Sequence, residues 1–183
     1  AGRNHVRQEM ARIAQSGACG IGELRPEQQG FSVTSGEIAS ILVSESEAYD
    51  LPLLFHVTEP VGHSYAGKSG LTMAAFAEFT SKHPGPKIIG AHWGGGLPFF
   101  RLIPEIQIIL ERIYVDTAAS NLLYADEIFK TVADQAGHDM ILFGSDYPLR
   151  NPAKEIARIR SLGLTAQQEA SILGENAKRL LQL

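Results

Sequence analysis

The sequence holds a single cysteine, Cys19, among 183 residues. No intrachain disulfide can form, and a cytosolic setting is the default expectation for such a chain. Because Cys19 sits in an apolar run, its thiol is expected to be buried and inert. No apolar stretch approaches the length of a membrane span, and the chain does not open on a charged-then-apolar leader pattern. Neither a transmembrane helix nor a signal peptide is therefore expected. There is no basic cluster either. With 16 Lys and Arg against 20 Asp and Glu, the net charge is −4. That balance offers no electrostatic footprint for nucleic acid or an anionic membrane. Phosphate-binding signatures are missing too. Gly94-Gly95-Gly96 lacks the G-x-G-x-x-G spacing, and no Walker-type lysine follows it.

What is present is a regular alternation. Short apolar runs with strand character occupy residues 18–24, 52–57, 87–92, 113–117 and 140–146. Between them, residues spaced by three or four mark helices over 6–15, 36–49, 71–82, 124–136 and 153–161. Ser35 and Gly36 stand in capping positions before the second of these, with Glu37 in its first turn. Thr165 followed by Gln168 has the capping-box pattern and opens a helix over 166–173. Strand then helix, five times over, predicts a parallel α/β architecture in one domain spanning 1–183. No repeats and no interdomain linker interrupt it. One loop stands out, residues 59–70, rich in glycine and polar residues directly after a strand.

Five units leave two architectures open: a doubly wound sheet, or part of a (β/α)₈ barrel, which needs eight. The polar residues favour the barrel. Glu23, His56, His92 and Asp146 each lie at or near the C-terminal end of an apolar strand and before a turn. Ionisable groups repeated at that address mark the catalytic face of a barrel. A doubly wound sheet would concentrate them at one switch point. Imidazole and carboxylate suit a divalent cation that activates water or polarises a carbonyl. The spacings alone are not diagnostic. His56 and His92 also fit core or capping histidines, and Asp146 an Asx-type turn.

The segments HVTEPVGH (56–63), GAHWGGGLPF (90–99), VDTAAS (115–120), FGSDYP (143–148) and GENAKRLL (174–181) resemble the amidohydrolase-related proteins. Relatives of that family include aminocarboxymuconate-semialdehyde decarboxylase. The last two segments, in this order, carry most of the specificity. The resemblance implies a (β/α)₈ TIM barrel with one divalent metal ion, zinc first, with manganese or magnesium compatible. It assigns the five strands to positions four to eight. It makes His56 a metal ligand, Asp146 both a ligand and a proton-transfer carboxylate, and His92 the group that polarises substrate or moves a proton. The family's first strand carries a His-x-His or Glu-x-His pair. No such pair precedes residue 18, and His5 stands alone in GRNHV. The expectation is an N-terminally incomplete barrel, strands four to eight, whose exposed edges would favour association into a homo-oligomer.

The expected activity is hydrolysis or non-oxidative decarboxylation of a small carboxylated molecule. A catalytically incomplete fragment or binding module of the same fold is the alternative. Glu23, His63, Lys68 and Trp93 are the expected substrate contacts: Lys68 as a partner for a carboxylate, Trp93 as a pocket wall. Asp116 fits a turn or supporting role better than direct catalysis. Asn176 and Arg179 are expected to fasten the last helix.

Overall fold

The computed structural model describes residues 2–65 and 67–183. Five parallel strands form one sheet: β1 (Ile21–Leu24), β2 (Leu53–Phe55), β3 (Ile88–Gly90), β4 (Ile113–Asp116) and β5 (Ile141–Leu142). Their spatial order is the chain order, β1-β2-β3-β4-β5, with every pair parallel. The order never reverses, so there is no switch point, and the doubly wound alternative falls. Consecutive parallel strands with helices between them are the arrangement of a barrel wall, and the fold is a partial (β/α)₈ barrel.

Helices connect the strands. α1 (Arg3–Gln15) precedes β1, and α2 (Glu37–Tyr49) and α3 (Met73–Lys82) follow β1 and β2. α4 (Pro104–Leu110) lies between β3 and β4, and α5 (Glu127–Ala136) between β4 and β5. α6 (Pro152–Arg160), α7 (Ala166–Ala170) and α8 (Asn176–Leu181) close the chain. None of these helices is long and apolar enough to cross a membrane.

Period-two burial divides the sheet into two faces. Leu53, Phe55, Ile88 and Val115 are buried beneath the helices, while Leu54, Ile89 and Tyr114 between them are half-buried on the opposite face. The covered face is aromatic at its centre. Phe55 meets Phe79 edge-on at 5.2 Å and Phe76 at 6.4 Å. β1 and β2 approach closely at Gly22, where an added Cβ would fall 2.6 Å from Leu54 Cβ.

The capping box at Thr165 and Gln168 forms as expected. Asn176 donates to the carbonyls of His138 and Ile141, fastening α8 beneath β5, and Arg179 braces it through the Asn176 Oδ1. Two expectations fail. Ser35 does not cap α2: the cap position is Gly36, and the Ser35 hydroxyl turns back to Ser32. Cys19 is exposed. It lies before β1 begins, where the chain has not yet entered the sheet, so its apolar neighbours do not enclose it.

Candidate functional site

The strand ends assemble the site. Glu23 belongs to β1, and His56 follows β2 directly. His92 comes two residues after β3, inside a turn whose backbone runs left-handed from His92 through Gly96, with φ between 56° and 87°. Two of those five residues carry side chains, and each costs about 1–2 kcal/mol in that conformation. The glycines are required. At Gly95 a Cβ would fall 2.8 Å from the Thr58 carbonyl oxygen. The turn is paid for by Asp116 at the end of β4. Its Oδ1, fully buried, accepts from the amides of His92 (2.9 Å) and Ala118 (3.0 Å). Burial pushes the Asp116 carboxyl upward, against the neighbouring His92 and these two amides.

Glu23, His56 and His92 form a cluster whose potential ligand atoms lie within 4.8 Å of one another. Glu23 Oε1 is 2.9 Å from His56 Nδ1 and 3.4 Å from His92 Nε2. The rings stand 5.0 Å apart at 75°. Each histidine turns its other nitrogen to a backbone carbonyl: His56 Nε2 to Gly67 O and His92 Nδ1 to Ala118 O, both at 3.2 Å. With a proton on the carbonyl-facing nitrogen, the lone pair of the other points at Glu23. Metal-binding histidines are oriented in this way. Bonds of about 2.1 Å at roughly 90–110° place neighbouring donors about 3.0–3.4 Å apart, so the spacing of Glu23 from each histidine, as well as the chemistry, suits a divalent ion.

Without an ion, the same atoms make an ion-paired group. Burial raises the Glu23 carboxyl, but the hydrogen bonds from His56 and His92 outweigh it and hold it at about 2. Burial lowers His92, but the bond to Glu23 and the charge of Asp116 prevail and bring it to about 9.

A cavity of about 340 Å³ opens beside the cluster. His92, Asp146, His63 and Tyr65 supply its polar groups, and Ala119, Leu122, Leu123 and Leu149 its apolar wall. Asp146 also has a left-handed backbone (φ 63°). It faces this cavity and is not a member of the three-residue cluster. A larger groove of about 570 Å³ beside α5 is lined by Lys130 and Asp134, which pair with each other, and has no comparable cluster.

Of the expected substrate contacts, Glu23 and His63 reach the site and two do not. Trp93 is fully buried, donates to Ser120 Oγ at 2.7 Å and meets Phe129 edge-on. The left-handed turn sends it into the core, opposite His92. The Lys68 ammonium is held by the carbonyls of Val61 (2.7 Å) and His63 (3.0 Å), which staples the loop. The three leucines are pocket residues that the sequence does not announce. Tyr65 shares a loop with His63, a recognisable signal. The leucines carry none, since helical spacing does not distinguish a pocket wall from core.

A model of the amidohydrolase family matches residues 2–183. No curated protein matches the chain. Among solved structures, 5-carboxyvanillate decarboxylase from Sphingomonas paucimobilis is similar at a TM-score of 0.78 and 17% identity, covering 97% of this chain and 62% of that one. Dihydroxybenzoic acid decarboxylase from Polaromonas sp. JS666, with bound manganese and 2-nitroresorcinol, gives 0.77 and 18%, covering 97% and 65%. 2,6-Dihydroxybenzoate decarboxylase from Rhizobium gives 0.74 and 17%, covering 98% and 68%. The chain thus spans about two thirds of the length of the structures it resembles.

Proposed function

We propose, from the premise that this chain belongs to the amidohydrolase family, that it carries the active-site face of a divalent-metal-dependent enzyme acting on a small carboxylated molecule. Non-oxidative decarboxylation is the preferred reaction, and hydrolysis the second. The observation that carries the reading is the Glu23–His56–His92 cluster at the edge of a cavity that also holds Asp146. The preference for decarboxylation rests on the aromatic-acid decarboxylases among the similar structures.

His56 and Glu23 hold the ion, and Asp146 is a further ligand or proton-transfer carboxylate across the cavity. An imidazole and carboxylates suit manganese as well as zinc. Manganese takes precedence because a similar structure contains it. When bound, the ion neutralises negative charge on the substrate's oxygens. His92, held protonated by Glu23 and Asp116, donates a hydrogen bond to a substrate oxygen or a proton to the carbon that carbon dioxide leaves. The leucine wall excludes water from a ring lying between His92 and Asp146. Partners are small molecules, and a cytosolic location completes the reading.

The test is product analysis with the manganese-loaded full-length protein and a set of hydroxylated benzoates and small lactones. Carbon dioxide release establishes the first reaction. Solvent ¹⁸O in an acid product, without carbon dioxide, transfers the assignment to hydrolysis. Tight ion binding with no turnover of either set leaves a binding module.

A further inference from the structure

The proposed ion site and proton donor account for Glu23 and for the inner nitrogens of His56 and His92. It leaves Arg25 unexplained. Arg25 follows β1 two residues after Glu23 and is half-buried. Its side chain does not pair with Glu23. Its Nη2 donates at 3.1 Å to the carbonyl of Gly67, 42 residues away, and its Nε is buried with no partner among the described residues. The Gly67 oxygen is the same atom that His56 Nε2 faces at 3.2 Å. A carbonyl has two lone pairs and can accept both donors.

We propose that Arg25 is a positioning residue: through the Gly67 carbonyl it sets the His56 ring and links cation binding to the placement of His63 and Tyr65 in the pocket. The proposal rests on the metal-dependent reading given above.

The geometry supports it from both sides of the ring. Glu23 meets His56 Nδ1 at 2.9 Å. Arg25, from the same strand end, fixes the acceptor of His56 Nε2. One strand end thus controls both nitrogens of a histidine on the next. A free carbonyl in a loop would be a poor orienter because the loop could turn it away. A guanidinium keeps its charge across all accessible pH, so the restraint does not lapse. Gly67 has φ 103°, a conformation open to glycine, and a Cβ there would lie 3.5 Å from Arg25 Nη2. Across Gly67, Tyr65 O accepts from the Lys68 amide (3.1 Å), and the Lys68 ammonium reaches back to the His63 carbonyl. Moving the Gly67 carbonyl therefore disturbs both pocket residues as well as His56.

The experiment compares wild type, Arg25→Met, Arg25→Lys and Gly67→Ala in the full-length protein. Three quantities are measured: Mn²⁺ affinity, amide exchange at Lys68 and Ser69 with and without Mn²⁺, and the His56 ring N–H signal of the metal-free protein. Removing a group that orients a metal ligand typically weakens affinity about 10–100-fold. Arg25→Met should do so, abolish the Mn²⁺-dependent slowing of exchange, and lose the protected His56 N–H. Gly67→Ala, which moves the carbonyl while keeping Arg25, should act in the same direction, and Arg25→Lys should recover part of the affinity. A folded Arg25→Met protein with wild-type affinity, exchange and ring signal overturns the proposal. If wild type binds no Mn²⁺, the metal reading fails, and the ring signal decides the positioning role separately. Its loss in Arg25→Met supports that role, and its persistence overturns it.

Discussion

Glu23 and His92 illustrate how one contact shifts two groups in opposite directions. The Glu23 carboxyl falls from 4.5 to about 2, so its contribution to stability is present above 4.5 and lost as pH falls through 2. His92 rises from 6.5 to about 9, so its contribution is complete below 6.5 and lost as pH rises through 9. In the metal-free protein the pair therefore stabilises fully only between about pH 4.5 and 6.5. Replacing Glu23 with Gln should lower the His92 titration midpoint, read by NMR, and flatten the stability profile above pH 6.5. An unchanged His92 midpoint would show that Asp116 and the Ala118 carbonyl hold the proton without Glu23. A second outcome at this scale concerns Cys19. As an exposed thiol it should react with a disulfide reagent in the native protein at the rate of a free cysteine, and protection until unfolding would contradict its position. The sequence misleads at Cys19 because hydrophobic neighbours in the chain say nothing about whether the sheet has begun. It misleads at Trp93 for a related reason. Adjacent residues in a left-handed turn leave in different directions, so a tryptophan beside a site histidine enters the core.

At the scale of elements, the left-handed turn from His92 to Gly96 fixes the direction of the site histidine, and Gly95 is its tightest point. Gly95→Ala would meet the Thr58 carbonyl at 2.8 Å while forcing alanine to φ 65°. The conformation alone costs about 1–2 kcal/mol, and the clash adds to it. Denaturant unfolding should show a loss of at least that size. A loss below about 0.5 kcal/mol would mean that the turn relaxes freely. All five strands were legible, because short apolar runs between helical periodicities leave little else to form. Their ends were not, and every strand but β4 is shorter than its apolar run by at least three residues. In β2, β3 and β5 the ladder stops before the chain presents His56, His92 and Asp146, whereas β1 starts late and keeps Glu23 within it. α4 escaped the sequence reading because Pro104 and the crowded apolar residues after it blur the period. That the loop 59–70 reaches the cavity, through His63 and Tyr65, was legible, but the place of Lys68 was not, since sequence cannot show that a loop's own carbonyls will capture its charge.

For the whole molecule, what matters is that the cluster is drawn from three consecutive strands. Glu23 and His56 are 33 residues apart, and His92 lies another 36 further on. No short segment of the unfolded chain contains two of these donors, so an ion bound at the cluster belongs to the folded state. Such a ligand stabilises by about 2.7 kcal/mol at one hundred times its dissociation constant. In a domain of this size that corresponds to roughly 5–10 °C in the melting temperature. Mn²⁺ should therefore raise the unfolding midpoint by that order, reversibly on chelation. Glu23→Gln combined with His56→Ala should abolish the rise. If the double variant is stabilised as much as wild type, the ion sits elsewhere, and the convergence of β1, β2 and β3 on one point has another purpose.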